Sequence, residues 1–239
     1  MNKKDITTLL LDLDGTLLKV DMENFIPVYV DRLASFFAHL APPEKFRKKL
    51  LSATRTVISS KDPGESNEEI FFRVFLQSLD LSPKKVMPLL DEFYSTEYPR
   101  LKSMASPHPH APSLLETAQK KGLEVVIATN PIFPAAAIKE RMRWAGIDEF
   151  PFLLVTTLEN MHFCKPHPEF YTEILQKINR SPSSCLMAGN DVLEDLVACK
   201  TGMFTYLVDE TLVNTEELEN CHYDWRGSLE ELQELISLL

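Results

Sequence analysis

The sequence predicts an α/β protein: a doubly wound, Rossmann-like parallel sheet core with an inserted helical cap domain. Two observations support this fold class. First, short apolar runs alternate with helical patterns in the second half of the chain, which is typical of parallel strands joined by crossover helices. Second, residues 12 to 123 separate the first apolar run from the next, far more than one crossover needs. A separate unit is therefore inserted after the first strand.

Five apolar runs are predicted to be the main strands of the sheet. They are residues 7–11, 124–128, 152–156, 184–188 and 204–208. Helical patterns at 112–121, 134–145, 168–178 and 193–201 lie between the later strands or directly before them. Proline in a first turn and glycine just past the last turn support several of these helices.

The segment 21–105 is predicted to be the helical cap domain, and residues 1–20 and 106–239 the catalytic core. Apolar residues recur at helical spacing through the insert, and residues 61–67 break it into two helical halves because they contain Asp-Pro-Gly. The proline-rich residues 107–112 predict a stiff, extended return to the core.

The C-terminal segment carries a capping box, Ser228 to Glu231, followed by an apolar stripe at helical spacing. The favoured interpretation is a helix packed against the sheet. A helix that binds a partner protein is the alternative.

Composition excludes some classes of function. The 239 residues include 35 acids and 25 Lys or Arg, a net charge of −10, which argues against electrostatic binding of nucleic acid or of an anionic membrane. No run approaches the roughly 20 apolar residues that span a bilayer, and the N-terminus does not resemble a signal peptide. We expect a soluble cytoplasmic protein, a monomer or weak homo-oligomer, with four reduced cysteines.

Two acids one residue apart, Asp12 and Asp14, follow the first strand directly, and Gly15 and Thr16 come next. Side chains at i and i+2 start on one face of a strand, and open α/β sheets bind ligands at the carboxyl ends of their strands. Two like charges so close together need a cation or a proton. Solvated acids in an ordinary turn are the alternative.

Polar side chains also follow the next three strands. Thr129 and Asn130 follow the second, Lys165 the third, and Asn190, Asp191 and Asp195 the fourth. Each group alone resembles an ordinary turn, a solvated lysine or a helix cap. Together they form a rim at one edge of the sheet with the groups that phosphoryl transfer needs, and hard oxygen ligands favour Mg²⁺.

Residues 12–16, Thr129, Lys165-Pro166 and residues 189–195 resemble, in order, the four motifs of the haloacid dehalogenase superfamily. The insert matches the type-1 cap of that family in size and place. The resemblance implies that Asp12 is a nucleophile that forms an aspartyl-phosphate and that Asp14 is the general acid and base. It also implies that Thr129 and Lys165 hold the phosphoryl oxygens.

The same resemblance assigns substrate and metal contacts. Gly15, Thr16 and Asn130 are expected to contact the substrate. Mg²⁺ is expected to contact the Asp12 carboxylate, the Asp14 main-chain carbonyl and the fourth motif. There Asn190 replaces the usual acid, so either the Asn190 amide oxygen or the Asp191 carboxylate is the ligand. Asp195 is expected to orient Lys165 or a metal-bound water.

The acid at position 14 favours a phosphatase or phosphomutase, since relatives that cleave carbon–halogen bonds lack it. We expect a Mg²⁺-dependent phosphatase acting on a small phosphorylated metabolite that the sequence does not specify. A phosphomutase of a sugar phosphate is one alternative. A non-catalytic phospho-acceptor or binding protein on the same fold is another.

Charge balance gives a further expectation for Asp14. Four carboxylates outweigh Lys165 and one Mg²⁺, so full ionisation opposes entry of a dianionic phosphate. Asp14 is therefore predicted to be protonated when substrate binds, as suits a general acid. Two arginines on the helix after Thr129, Arg141 and Arg143, are predicted to be solvated.

Overall fold

The computed structural model describes residues 6–239. The predicted core segment 1–20 thus begins with residues that lie outside the described part. Six parallel strands form the main sheet in the order β5-β4-β1-β6-β7-β8. They are β1 (Thr8–Leu11), β4 (Glu124–Ile127), β5 (Leu154–Val155), β6 (Cys185–Gly189), β7 (Phe204–Val208) and β8 (Trp225–Gly227). The predicted fold class is confirmed, with a short sixth strand added at one edge.

Strand β1 lies at the centre of the sheet and is covered on both faces. Leu9 and Leu11 point into the larger hydrophobic core, whereas Leu10 points into a second core on the other face. Its register pairs Leu11 with Ile127 of β4 and with Ala188 of β6. The residues that follow these three strands therefore emerge side by side.

The helices of the core follow the predicted alternation, with one difference. They are α5 (Ala111–Lys120), α6 (Ala135–Ala145), α7 (Pro168–Ile178) and α8 (Leu229–Ser237). The segment predicted as a helix at 193–201 is instead a turn followed by a short 3₁₀ helix, Leu196–Thr201. Helix α8 begins at the capping box of Ser228 and Glu231, and its side chains Leu229, Leu232 and Ile236 are buried in the main hydrophobic core. The C-terminus is therefore a packed helix as predicted, but its main neighbour is α5 rather than the sheet.

The insert contains four α-helices, two before and two after the predicted break at 61–67. They are α1 (Met22–Phe36), α2 (Pro43–Ser59), α3 (Asn67–Leu79) and α4 (Pro83–Thr96), followed by a 3₁₀ helix, Tyr98–Met104. Stacked and edge-on rings, such as Phe37 on Phe46 at 5.1 Å between ring centroids, fill the space between the helices. Where the domain boundary falls stays a prediction.

Both ends of the insert meet in a small antiparallel sheet. Strand β2 (Leu18–Val20) pairs with β3 (Ala105–Pro107), and Leu18 lies opposite Pro107. In the segment 107–112, predicted to be a stiff, extended return, only Pro107 belongs to a strand, and α5 begins within the segment at Ala111. This ladder holds the entry and exit of the insert together beside the end of β1.

An aromatic seam joins the insert to the core. It consists of Phe25, Tyr29, Tyr98, Phe133 and Trp144. Tyr98 stacks on Trp144 at 5.5 Å between ring centroids, and Tyr29 meets Phe133 at 5.4 Å. The insert and the core consequently share one continuous hydrophobic cluster.

No helix within residues 6–239 is long and apolar enough to cross a membrane.

Candidate active site

The turn after β1 places two carboxylates at the centre of the sheet edge. Asp12 is 7% exposed and continues the ladder through a main-chain hydrogen bond to Ala188. Gly15 follows with a φ of +91°, a conformation that side chains rarely adopt. A Cβ at this position would lie 2.5 Å from the Asn190 side-chain nitrogen. Only glycine therefore allows the turn to approach Asn190 so closely.

Lys165 is the central cation of the site. Its ammonium group, 1% exposed, donates hydrogen bonds to Asp12 Oδ1 at 2.9 Å and to Asp195 Oδ1 at 2.6 Å. Burial alone would lower the pKa of Lys165, but attraction to Asp12 and Asp195 holds that pKa well above its usual range. Lys165 is therefore charged. It follows the third predicted strand and links Asp12, after the first strand, to Asp195, after the fourth.

Thr16 and Asn190 complete a second link across the site. The Thr16 hydroxyl lies 3.3 Å from Asp12 Oδ2 and 3.0 Å from Asn190 Oδ1. The Asn190 amide nitrogen donates to the Thr211 main-chain oxygen at 2.7 Å. The amide oxygen of Asn190 and Oδ2 of Asp12 consequently both lie beside the Thr16 hydroxyl.

Asp191, by contrast, is held by its own loop. Its carboxylate accepts hydrogen bonds from the main-chain nitrogens of Leu193 and Glu194, at 2.9 and 3.0 Å. The Asn214 side chain donates to both of its oxygens at 2.9 Å. Four donor contacts thus already occupy this carboxylate.

A cavity of about 270 Å³ brings the predicted residues together. Its polar wall is formed by the side chains that follow β1, β4 and β6, namely Asp12, Asp14, Thr129, Asn130, Asn190, Asp191, Glu194 and Asp195. Gly15 lies in a neighbouring cavity that also reaches Asp14 and Asn190. All the predicted site residues thus lie in or directly beside one region.

Arg141 corrects a prediction. Its guanidinium is fully buried rather than solvated, forms an ion pair with Asp14 Oδ2, and lies 4.1 Å from the centre of the Phe133 ring. Two of its nitrogens, Nε and Nη2, and Asp14 Oδ1 have no hydrogen-bond partner among residues 6–239. Arg143, two residues along, is 55% exposed as predicted.

Burial dominates the electrostatics of Asp14. It raises the pKa of this carboxyl, and the nearby Asp12 charge raises it further, while the Arg141 guanidinium opposes both effects. This rise in the pKa of Asp14 is in the direction expected for a protonated Asp14. Arg141 places a positive charge beside the proposed proton donor, which the sequence analysis did not foresee.

Glu194 is a second residue that the sequence analysis missed. It lies in the cavity wall and accepts a hydrogen bond from the Asn130 side chain at 3.0 Å. Burial raises the pKa of Glu194 to about 8, although Lys165 acts in the opposite direction. The position was recognisable as part of the acidic run 189–195, where only Asp191 and Asp195 were singled out.

The donor set fits a hard divalent cation only when amide and main-chain oxygens are included. Within residues 6–239, no cluster of three or more His, Cys, Asp or Glu side chains could hold a metal ion. Asp12 Oδ2 and Asn190 Oδ1 nevertheless both approach the Thr16 hydroxyl, so a carboxylate and an amide oxygen converge. Such oxygens are ligands that Mg²⁺ accepts together with water.

The structure combines a parallel α/β sheet with a helical insert. Carboxylates, a hydroxyl and a buried lysine lie together at the carboxyl ends of the central strands. This combination is typical of enzymes of the hydrolase class. The chain belongs to the haloacid dehalogenase-like hydrolase family, whose profile matches residues 6–201.

Comparisons with individual proteins agree with the family. The chain is 23% identical over 235 residues to a pyrophosphatase PpaX of Anoxybacillus flavithermus, covering 98% of this chain and 97% of the relative. It is similar in structure to a HAD phosphatase from Thermococcus onnurineus, with a TM-score of 0.61, 19% identity, and coverage of 97% and 98% of the two chains. A predicted phosphoglycolate phosphatase from Haemophilus somnus gives a TM-score of 0.55 at 16% identity, covering 93% and 94%.

Proposed function

We propose that this hydrolase is a Mg²⁺-dependent phosphatase that cleaves a small phosphate monoester through an aspartyl-phosphate on Asp12. The observation that carries the proposal is the buried Lys165, which bridges Asp12 and Asp195. Both carboxylates line the cavity that Asp14 and Thr129 also line. The bridge fixes one Asp12 oxygen and supplies positive charge where phosphoryl oxygens enter. The phosphatase and pyrophosphatase names of the relatives support hydrolysis of a phosphoryl bond.

The reaction proceeds in two steps. An Asp12 oxygen attacks phosphorus, the ester P–O bond breaks, and Asp14 gives its proton to the departing alkoxide. Asp14 then takes a proton from a water that attacks the aspartyl-phosphate. Inorganic phosphate leaves and the Asp12 carboxylate is restored. Lys165 and the Thr129 hydroxyl hold the phosphoryl oxygens, aided by Gly15, Thr16 and Asn130.

Mg²⁺ would be held by the Asp12 carboxylate, the Asp14 main-chain oxygen and the Asn190 amide oxygen, and it would offset the charge of the phosphate. Asn190 is the better candidate than Asp191 because its amide oxygen and Asp12 Oδ2 both lie beside the Thr16 hydroxyl. The Asp191 carboxylate, by contrast, already accepts hydrogen bonds from its own loop and from Asn214. Asp195 orients Lys165.

Phosphate release by the purified protein tests the proposal. The substrates are a panel of sugar phosphates, phosphoglycolate, nucleotides, cofactor phosphates and pyrophosphate, each assayed with Mg²⁺ and with EDTA. We expect release from at least one monoester that needs Mg²⁺ and that falls at least about 10³-fold in Asp12→Asn. Asp148→Asn is the control and should keep the activity, because the Asp148 carboxylate does not line the cavity and pairs with Arg143 instead.

Two results would contradict parts of the proposal. Phosphate release that is unchanged in Asp12→Asn would remove the nucleophile assignment. Isomerisation of a sugar phosphate without net phosphate release would make the protein a phosphomutase. Thermal unfolding of each variant shows whether a loss of activity is a loss of fold.

A further inference from the structure

A second cavity, of about 280 Å³, adjoins the candidate active site on the side of the insert. The two cavities share three lining residues, Ile26, Ile132 and Phe133. The second cavity then extends between α1, α2, α3 and α4, where its walls are side chains such as Leu33, Phe46, Leu50, Phe71 and Phe75. A group attached to a phosphoryl group held at Asp12 therefore has an apolar compartment beside it.

The polar groups in this cavity are few, and most are already paired. The hydroxyls of Tyr29 and Tyr94 bond to each other at 2.7 Å, and the Thr54 hydroxyl donates to the Leu50 main-chain oxygen at 3.1 Å. A bound group would therefore meet little competition for hydrogen bonds and mainly apolar surface.

The charged residues of this cavity are all acids. They are Glu68, Asp91 and Glu159, and no Lys, Arg or His of residues 6–239 lines it. Burial raises the pKa of Glu68, and the neighbouring Glu159 raises it further, so these two acids lie close enough to repel each other. A second phosphate or a carboxylate entering here would meet only negative charge and would lose its hydration.

We propose that the cavity binds the uncharged, apolar alcohol portion of the substrate, so that the preferred esters are alkyl or aryl phosphates rather than pyrophosphate. This inference rests on the proposed phosphatase function. A dry apolar cavity of about 150 Å³ holds benzene, so this one accepts a group about twice that size, such as a naphthyl ring or an eight-carbon chain. The expected substrate thus differs from that implied by the name of the pyrophosphatase relatives.

A chain-length series gives the direct test. Phosphate release from methyl, butyl, hexyl and octyl phosphate, and from pyrophosphate, is measured with Mg²⁺ below the micelle-forming concentrations. We expect kcat/KM to rise about fourfold per buried methylene until the cavity is filled. A kcat/KM that does not depend on chain length, or that is highest for pyrophosphate, would overturn the proposal.

Two threonines on α2 provide a matched pair of variants. Thr54 lines the cavity, whereas Thr56 is exposed, and each hydroxyl donates to the main-chain oxygen four residues earlier at 3.1 Å. Thr54→Trp fills part of the cavity and should reduce the octyl-to-methyl ratio of kcat/KM at least about tenfold. Thr56→Trp, of the same size change, should leave that ratio unchanged. Equal ratios in the two variants would contradict the assignment.

Binding without turnover separates this inference from the proposed function. Methylphosphonate and octylphosphonate are titrated calorimetrically into the wild-type protein and Asp12→Asn. Tighter binding of the octyl compound with no hydrolysis of any ester would support the apolar site and overturn the phosphatase. Hydrolysis of methyl phosphate with equal binding of both phosphonates would support the phosphatase and overturn the apolar site.

Discussion

The guanidinium of Arg141 is buried and forms an ion pair with one side-chain oxygen of Asp14. Helical spacing places Arg141 on the inward face of α6, because Ile138 lies three residues before it and Trp144 three residues after it, and both are buried. Arginine is usually exposed, but this periodicity already indicates a buried position. The position was predictable, whereas its pairing with Asp14 was not, since it depends on how α6 packs beside β1.

Breaking this buried pair should be costly. In Arg141→Met the buried Asp14 loses its charge partner and must either stay an unpaired charge or take up a proton, so the free energy of unfolding at neutral pH should fall by about 3–5 kcal/mol. Arg143→Met, which removes an exposed arginine from the same helix, should cost less than about 1 kcal/mol. Urea denaturation at neutral pH measures both. Combining Arg141→Met with Asp14→Asn should recover part of the loss, and equal effects of the two single variants would contradict the assignment.

Glu194 should make the stability of the metal-free protein depend on pH. Its pKa is about 8 in the folded protein and near 4.5 in an unfolded chain, so the folded state binds the extra proton between these values. Its contribution to stability is therefore fully present below about pH 4.5 and is lost as pH rises through about 8. In EDTA, we expect the wild-type protein to lose more stability than Glu194→Gln between pH 6 and 9.

An exposed acid serves as the control for this measurement. Glu149→Gln should follow the wild-type pH profile, because Glu149 lies on the surface. Parallel profiles for the wild-type protein and Glu194→Gln in thermal unfolding would show that Glu194 does not bind the additional proton.

At the scale of elements, the strands formed by long apolar runs were predictable from the sequence, whereas three short strands were not. Strands β1, β6 and β7 carry four or five buried or nearly buried residues each, so their patterns were recognised within a residue or two. Strands β2, β3 and β8 have three residues each and depend on partners elsewhere in the chain. The local sequence of such short strands carries no periodic signal that distinguishes them from loops.

The residues of the candidate site also divide into those that the local sequence predicts and those that depend on distant parts of the chain. Residues directly after apolar strands were predictable, because parallel strands bring their carboxyl ends together. The choice between Asn190 and Asp191 depended on hydrogen bonds to Thr211 and Asn214, which lie in a later loop. No pattern within residues 189–195 shows where that loop runs.

The turn between β1 and β2 should be intolerant of any side chain. In Gly15→Ala the new Cβ would clash with the Asn190 amide, and a φ of +91° adds backbone strain. We expect a loss of about 1–2 kcal/mol in stability from the strain and at least a tenfold weaker response of activity to Mg²⁺. Gly122→Ala is the control, since its φ is also positive but no atom of the described residues lies within 4 Å of the added carbon. A normal Mg²⁺ response in Gly15→Ala would argue against Asn190 as a ligand.

At the scale of the whole molecule, the insert and the core are coupled through one hydrophobic cluster. The aromatic seam connects them, and main-chain hydrogen bonds reinforce it, from Asn67 to Met161 at 2.8 Å and from Glu68 to Leu158 at 3.0 Å. A cap that is packed in this way can shield the reaction from water, provided that it opens for substrate.

We therefore expect a single cooperative unfolding transition. Calorimetric and van't Hoff enthalpies should agree, because neither part keeps a complete core without the other. Phe25→Ala, at the centre of the seam, should lower the free energy of unfolding by about 3–5 kcal/mol. Val28→Ala on the same helix, where the side chain is 40% exposed, should change it by less than about 1 kcal/mol. Two resolved transitions would show that insert and core unfold independently.

The seam also gives the protein an internal optical probe. The chain has two tryptophans, and Trp144 is 3% exposed within the seam, whereas Trp225 lies partly exposed at the far edge of the sheet. Trp225→Phe would leave one indole, at the junction of insert and core. The fluorescence emission maximum of Trp144 and its quenching by a soluble quencher would then report separation of the insert from the core in real time, without an attached dye.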